Sequence, residues 1–292
     1  MQQNILLETP KNFNFKRTVL SHGWSQLAPF QIDEENWILD GVLVAEKPYH
    51  VKITEAENGL NVEVFSNEIN EKTSEIIVRD VRHIFRFDND LGEFYKLIKS
   101  EKRFAWIAKQ NAGRLLRSPT VFEDLVKTIC TTNCNWAMTK IMTTNLVEKL
   151  GQVSETGKKA FPTAEAMAKM PVEFYKNEIR AGYRDTYFKE LAENIGEGKI
   201  NVESWLDTDL TTKELKKEMK KVKGVGDYAA ENLLKLLGRY DGLALDSFLR
   251  GGFYKKHNNE IVCNDKDIEA HYERFGKWRG LAIWLDMTEK WT

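Results

Sequence analysis

The hydrophobic spacing of this 292-residue chain predicts an α+β architecture, a small antiparallel β-rich part followed by a larger helical one. Two observations carry that expectation. Apolar and polar residues alternate between residue 37 and about 66, and from about residue 88 onward the apolar positions fall at helical spacing instead. The expected division is therefore a β-rich domain over 1–88 and a helical domain over 89–292.

The strands come first. Tyr49, Val51 and Ile53 alternate with polar neighbours, and so do Leu60, Val62 and Val64. Asn58-Gly59 lies between the two runs, a dipeptide suited to the positive φ angles of a tight hairpin. Such alternation predicts an antiparallel sheet with one wet face. Phe122, Leu125, Val126, Ile129 and Cys130 then repeat at helical spacing, with Ser118-Pro119-Thr120 as an opening signal. Helical segments continue to the end, with breaks near Gly151–Pro162, Pro171, Gly182, Gly196–Gly198 and Gly238–Gly242.

Composition narrows the function classes. With 42% hydrophobic and 30% charged residues, the chain has the balance of a globular protein able to bury substantial cores. Its apolar runs are far shorter than the roughly 20 residues of a membrane-spanning helix, and Met1–Glu8 lacks the pattern of a signal peptide. A cytoplasmic protein without a membrane partner is expected. Cys130, Cys134 and Cys263 are too few for a disulfide framework, and the five histidines show no ligand spacing, so no metal site is expected. The net charge of −1 requires any polyanion-binding surface to be local.

Lys213–Leu237 is the most informative stretch. Leu215, Met219 and Val222 give one helix an apolar stripe, and Ala229, Ala230, Leu233, Leu234 and Leu237 resume the period after Gly224-Val225-Gly226. The glycines allow another backbone to come close, and the amides at the second helix start can hydrogen-bond a phosphate oxygen. Val225 would plug into the domain and anchor the turn. Six lysines against two glutamates between Lys213 and Lys223 give a local charge of +4, and Lys217, Lys220 and Lys221 are the candidate phosphate contacts. An ordinary helical hairpin with a solvated lysine face would carry much of the same pattern.

Further on, the chain reads Gly242-Leu243-Ala244-Leu245-Asp246-Ser247-Phe248-Leu249-Arg250, with Asp246 eighteen residues after Tyr228. Together with the hairpin, this resembles the helix-hairpin-helix DNA glycosylase superfamily, whose hairpin is followed by a loop and an aspartate at a helix start. The usual loop is richer in proline than the one here. Aspartate is also a favoured helix N-cap, and Asp246 is expected to serve both purposes. The resemblance makes it the catalytic carboxylate, facing the sugar while positive charge develops there, a state comparable to that of glycoside hydrolysis. It implies that Gly224, Val225, Gly226 and Ala229 bind the DNA backbone, and that the fold is a TBP-like N-terminal β domain followed by an all-α catalytic domain. The partner is double-stranded DNA carrying damaged bases, bound by a monomer. No organic cofactor is implied; the resemblance allows a monovalent cation on backbone carbonyls of the hairpin.

Gly113–Pro119, Ile129–Asn135 and Ala181–Arg184 look like the 8-oxoguanine branch of the superfamily. The resemblance makes Asn133 the filler of the gap left by the extruded nucleotide, Tyr183 a wedge beside the orphaned base, and Arg184 its hydrogen-bonding reader. Other positions depart from that branch. Tyr228 stands where the bifunctional enzymes carry a nucleophilic lysine, and a phenol cannot form an imine, so the strand-cleaving step is expected to be missing. Tyr228 fits the alkylation-repair branch better, where an aromatic commonly stands. Met138 replaces an arginine that reads the orphaned cytosine, and Asn232 stands in place of a pocket cysteine. An alignment through Gly276–Gly280 sets Ile283 and Met287 in place of a glutamine and a phenylalanine of the oxidised-guanine pocket. Tyr228 and Trp284, with Trp24 and Trp136 behind them, are the candidate base-pocket aromatics. Removal of an alkylated purine such as 3-methyladenine, without strand cleavage, is the first expectation. Removal of an oxidised purine without lyase activity is the second, and a non-catalytic DNA-binding module the third.

Overall fold

A computed structural model describes residues 2–291. Five strands, β1 (Gln2–Leu7), β2 (Gln31–Asp33), β3 (Ile38–Val44), β4 (Pro48–Ala56) and β5 (Gly59–Phe65), form one antiparallel sheet in the order β1-β5-β4-β3-β2. The pleat sorts the side chains as the alternation requires. Val51 pairs with Val64 and Ile53 with Val62 on the fully buried face, while Lys52 meets Glu63 on the other. The β4–β5 loop differs in detail from expectation. Ala56 pairs with Gly59, leaving Glu57-Asn58 as the loop, and of the expected dipeptide only Gly59 takes positive φ. A Cβ on Gly59 would lie 1.9 Å from the Leu7 carbonyl oxygen, so the close approach of β1 also demands glycine there. β1 itself escaped the sequence reading because its six residues carry only three aliphatics and pair at the sheet edge.

Between β1 and β2 the chain leaves the sheet as helix α1 (Phe15–Val19) and a 3₁₀ turn at Gly23–Gln26. Helix α2 (Glu71–Ile84), capped by the Asn70 side chain, covers the sheet with Ile77, Val81 and Ile84. Helical structure therefore begins well before residue 88, inside the stretch expected to be β-rich. The five aliphatics of α2 are interleaved with charged residues, and only packing against the sheet shows that Ile77, Val81 and Ile84 form its buried stripe.

The rest is helical: α3 (Gly92–Ile98), α4 (Ala105–Lys109), α5 (Val121–Thr131), α6 (Trp136–Leu150), α7 (Ala164–Ala168), α8 (Val172–Phe174), α9 (Asp185–Gly196), α10 (Thr212–Met219), α11 (Asp227–Leu236), α12 (Ser247–His257), α13 (Asp265–Tyr272) and α14 (Arg279–Thr288). Thr120 caps α5 through the Glu123 amide, and Thr211 with Glu214 forms a capping box on α10, so both starts lie where short polar side chains precede an apolar stripe. One contiguous apolar core runs from the sheet into these helices. No helix among the described residues is long and apolar enough to cross a membrane.

Three arginines fix the helix that matters most. Arg86 donates to the carbonyls of Lys235 and Leu236 at 3.0 Å each, and Arg117 donates to that of Leu236 at 2.6 Å. They satisfy the orphan carbonyls at the C-terminal end of α11 with positive charge. Arg114 holds the Arg86 and Asn89 carbonyls in turn. All three guanidiniums are buried, which gives the Gly113–Pro119 stretch a structural task.

Candidate active site

Helices α10 and α11 form the expected hairpin. Leu215, Met219, Val222 and Val225 are buried, and hiding the Val225 side chain stabilises the turn by roughly 1.5–3 kcal/mol. Gly224 has φ +89°, and a Cβ there would meet the Tyr187 ring at 2.5 Å. Gly226 is the N-cap of α11 and supplies no side-chain cap, and a Cβ on it would enter open space. The first-turn amides of α11 are thus free for an anion outside the protein. Ala229, one turn in, is buried against the hairpin.

The lysines are less free than their number suggests. Lys220 is bonded to Asp227 at 2.9 Å, Lys221 to Glu218, Lys223 to Glu190, and Lys216 to both Asp227 and Glu231. Glu190, Asp227 and Glu231, outside the lysine-rich stretch, thus offset part of its positive charge, while Lys217 has no ion pair among the described residues. A cation at this turn would rest on neutral backbone carbonyls. That of Val222 already accepts the Val225 amide, and the Asp227 carboxylate is held by two lysines. Such a donor set would suit a monovalent ion rather than a divalent one.

Asp246 is the N-cap of α12, and its Oδ1 accepts the Leu249 amide at 2.8 Å. Its second carboxylate oxygen has no hydrogen-bond partner among the described residues. The loop before it lacks proline and is held by side chains instead. Glu231 accepts the Ala244 amide, Lys235 donates to the Leu243 carbonyl at 2.9 Å, and the Gly280 amide donates to the Tyr240 carbonyl at 2.8 Å. Gly280 is required, since a Cβ there would lie 2.1 Å from the Gly242 carbonyl oxygen.

Asp246 opens onto a cavity of about 670 Å³ that also meets Tyr228, Trp24, Trp136 and Trp284. The four candidate aromatics and the candidate carboxylate, spread over more than 250 positions of sequence, therefore share one space. The three indole N–H groups are all used within the protein. Trp24 donates to Asp124 at 2.7 Å, Trp284 to the Ser21 carbonyl at 2.8 Å, and Trp136 to Gln26 at 3.2 Å. With their polar edges engaged, the rings are held in place and offer apolar faces. Burial pushes the Asp124 carboxyl up to about 6, although the Ser118 and Trp24 donors favour its ionised form. Burial also raises the Tyr228 phenol above its ordinary value, with the Asp246 charge adding to it, so Tyr228 is neutral.

Several lining residues were not singled out in the sequence. His22 enters with the α1 segment; burial pulls its imidazole down to about 4, and Nε2–H donates to the Leu116 carbonyl at 2.7 Å. Phe248, two positions after Asp246, and Trp291, beyond the end of α14, also line the cavity. Lys235 lies seven residues beyond Tyr228, with Asn232 between them on the same face of α11. A lysine inside the run Leu233–Leu237 was the available signal for it.

The outer candidates divide. Asn133, at φ +46°, has its amide 3.4 Å from the Tyr183 hydroxyl, and Tyr183 is 49% exposed, so the two sit side by side on the surface. Arg184 is placed otherwise. Its guanidinium is buried and donates to the Ile129, Ala181 and Thr132 carbonyls, fastening the Tyr183 turn to the end of α5 rather than facing an orphaned base. The C-terminal positions divide as well. Ile283 is core and Met287 packs on Gly252, while Trp284, one position on from Ile283, reaches the cavity.

No protein-family model matches the chain. A DNA-3-methyladenine glycosylase of Bacillus subtilis (strain 168) is 24% identical over 208 residues, 69% of this chain and 68% of that protein. The 8-oxoguanine glycosylase/lyase of Clostridium acetobutylicum superposes with a TM-score of 0.75 at 23% identity, over 98% of this chain and 97% of its own. The 3-methyladenine DNA-glycosylase of Archaeoglobus fulgidus gives 0.76 at 20% identity, over 99% and 98%. The Clostridium enzyme also superposes in its complex with double-stranded DNA, with a TM-score of 0.73 at 24% identity, over 96% of this chain and 92% of its own. The chain has the fold of these enzymes.

Proposed function

We propose that the chain is a monofunctional DNA glycosylase that hydrolyses the bond between a damaged purine and deoxyribose, after the nucleotide has been extruded from duplex DNA. One observation carries this reading: the Asp246 carboxylate, with one oxygen on the Leu249 amide and the other unpartnered, opens onto a cavity walled by Tyr228, Trp24, Trp136 and Trp284. The volume falls within the roughly 300–1,000 Å³ usual for small-molecule sites.

Departure of the base leaves an oxocarbenium-like sugar. The Leu249 amide and the start of α12 favour the ionised carboxylate, which stabilises that charge. Its second oxygen can orient the attacking water. The unoccupied amides of α11 would grip the DNA backbone while Asn133 and Tyr183 occupy the space beside the extruded nucleotide; extrusion costs a few kcal/mol and least for a damaged pair. Tyr228 in place of an amine leaves no imine route at that position.

Two purine classes suit the aromatic walls. An alkylated, cationic purine such as 3-methyladenine gains about 0.5–2 kcal/mol from each well-placed indole face. An oxidised purine is the second reading, and the buried ammonium of Lys235 favours it. The test is single-turnover base release from duplexes carrying an alkylated, a deaminated or an oxidised purine. Release of at least one base with the strand left intact is expected. Binding to abasic-site DNA with no release from any duplex would make the chain a binding module.

A further inference from the structure

Lys235 is idle in the hydrolytic scheme, yet it stands in the cavity with Asp246. The residue is 3% exposed, on the face of α11 that it shares with Tyr228 and Asn232. An ammonium has three N–H donors. One reaches the Leu243 carbonyl at 2.9 Å, and no other acceptor among the described residues lies within hydrogen-bond distance. The neighbouring carboxylate of Glu231 is already taken by Lys216 and the Ala244 amide. Nζ also lies 5.5 Å from the centre of the Trp284 ring, so that indole already carries a cation on its π system. Burial pulls the amine down to about 8, with the Asp246 and Glu231 charges opposing, which leaves it protonated near neutral pH. A buried cation with spare donors, facing an apolar cavity, is costly to keep unless something entering that cavity accepts from it.

We propose that Lys235 Nζ donates to a keto oxygen of the extruded base, selecting neutral keto purines, of the kind of 8-oxoguanine and hypoxanthine, against cationic N-alkylpurines. The proposal rests on the glycosylase reading above and names its substrate class. A neutral keto base supplies the missing acceptor in a charge-assisted hydrogen bond. A cationic base brings a second positive charge into the same low-dielectric space. At about 5 Å and an effective dielectric near 20, the repulsion is worth about two hundredfold in binding. That outweighs the cation–π gain on an indole whose face Lys235 already shares.

The test is single-turnover base release by the wild type, Lys235→Met and Lys235→Arg on three duplexes, carrying 8-oxoguanine, hypoxanthine or 3-methyladenine. The wild type is expected to release a keto base fastest. Lys235→Met keeps the apolar stem but also frees the Leu243 carbonyl that steadies the Asp246 loop, so the reading is the ratio: release of the keto bases should fall tenfold to a hundredfold relative to that of 3-methyladenine. Lys235→Arg keeps the charge and should keep the order of preference, which provides a reading if the methionine variant does not fold. Wild-type release of 3-methyladenine as fast as the faster keto base, or an unchanged ratio in Lys235→Met, overturns the role of Lys235 and leaves the glycosylase reading standing. Wild-type release of nothing from any duplex removes that reading and this proposal together. A borohydride-trapped DNA complex formed by the wild type and lost in Lys235→Met would make the amine a nucleophile, which also overturns its recognition role.

Discussion

Asp246→Asn isolates charge from structure. The amide oxygen of asparagine can accept the Leu249 N–H as Oδ1 does now, and asparagine ranks with aspartate as an N-cap, so α12 keeps its start. What disappears is the negative charge at the cavity wall. A carboxylate about 4 Å from a developing sugar cation, at an effective dielectric near 20, contributes about 4 kcal/mol. That corresponds to about a thousandfold in the rate of the chemical step. Single-turnover base release, with enzyme in excess over a damaged duplex, reads that step without product release. Affinity for an abasic-site duplex and the melting temperature should stay nearly constant, the latter within about 2–4 °C for each kcal/mol of cap strength lost. If Asp246→Asn releases base within tenfold of the wild type while remaining folded, the electrostatic role is wrong, whatever else the cavity does.

Three further outcomes follow from the same geometry. Borohydride should trap no covalent complex between the wild type and damaged DNA, because Tyr228 offers a phenol and Lys235 is tied to the Leu243 carbonyl; efficient trapping would contradict this. Affinity for duplex DNA should fall with salt, and Lys217→Gln should lower the slope by about one phosphate contact; Glu218→Gln, which frees Lys221, should raise affinity, and a flat salt response would remove the hairpin as a polyanion site. His22 is held at about 4, below its ordinary 6.5, by burial, so the stability of its neutral form is complete above pH 6.5 and is lost as pH falls toward 4. The deficit in melting temperature of His22→Gln relative to the wild type should therefore be largest at pH 7 and shrink by pH 4; a constant deficit would mean that His22 does not titrate as placed.

The parts legible in the sequence are those where local chemistry and final structure agree. The alternation of Tyr49–Val64 gave strands, and the stripe around Gly224-Val225-Gly226 gave the helical hairpin, because backbone period and turn residues act over a few positions. Asp246 was visible for the same reason, as a carboxylate at a helix start. Helix α2 and strand β1 were not, since a thin apolar stripe and a six-residue edge strand become apolar faces only against the sheet they cover or extend. Which face of α14 meets the cavity was not legible, because its mostly apolar sequence gives no local sign of it. The protein partners of Arg184 and the lysines were illegible for a related reason. Those partners, the Thr132 carbonyl, Asp227, Glu190 and Glu231, come from other elements or other turns.

By itself, then, the sequence determined the order of sheet and helices, the hairpin with its free amides, and the carboxylate at the start of α12. All of these are set by interactions between residues close along the chain. Only the tertiary structure decided what the carboxylate faces: the cavity walls come from α1's segment, α6, α11 and α14, and they meet only when the core closes. It also decided that Lys235 is buried with unspent donors, because burial depends on every element packed around a residue and on none of its immediate neighbours alone.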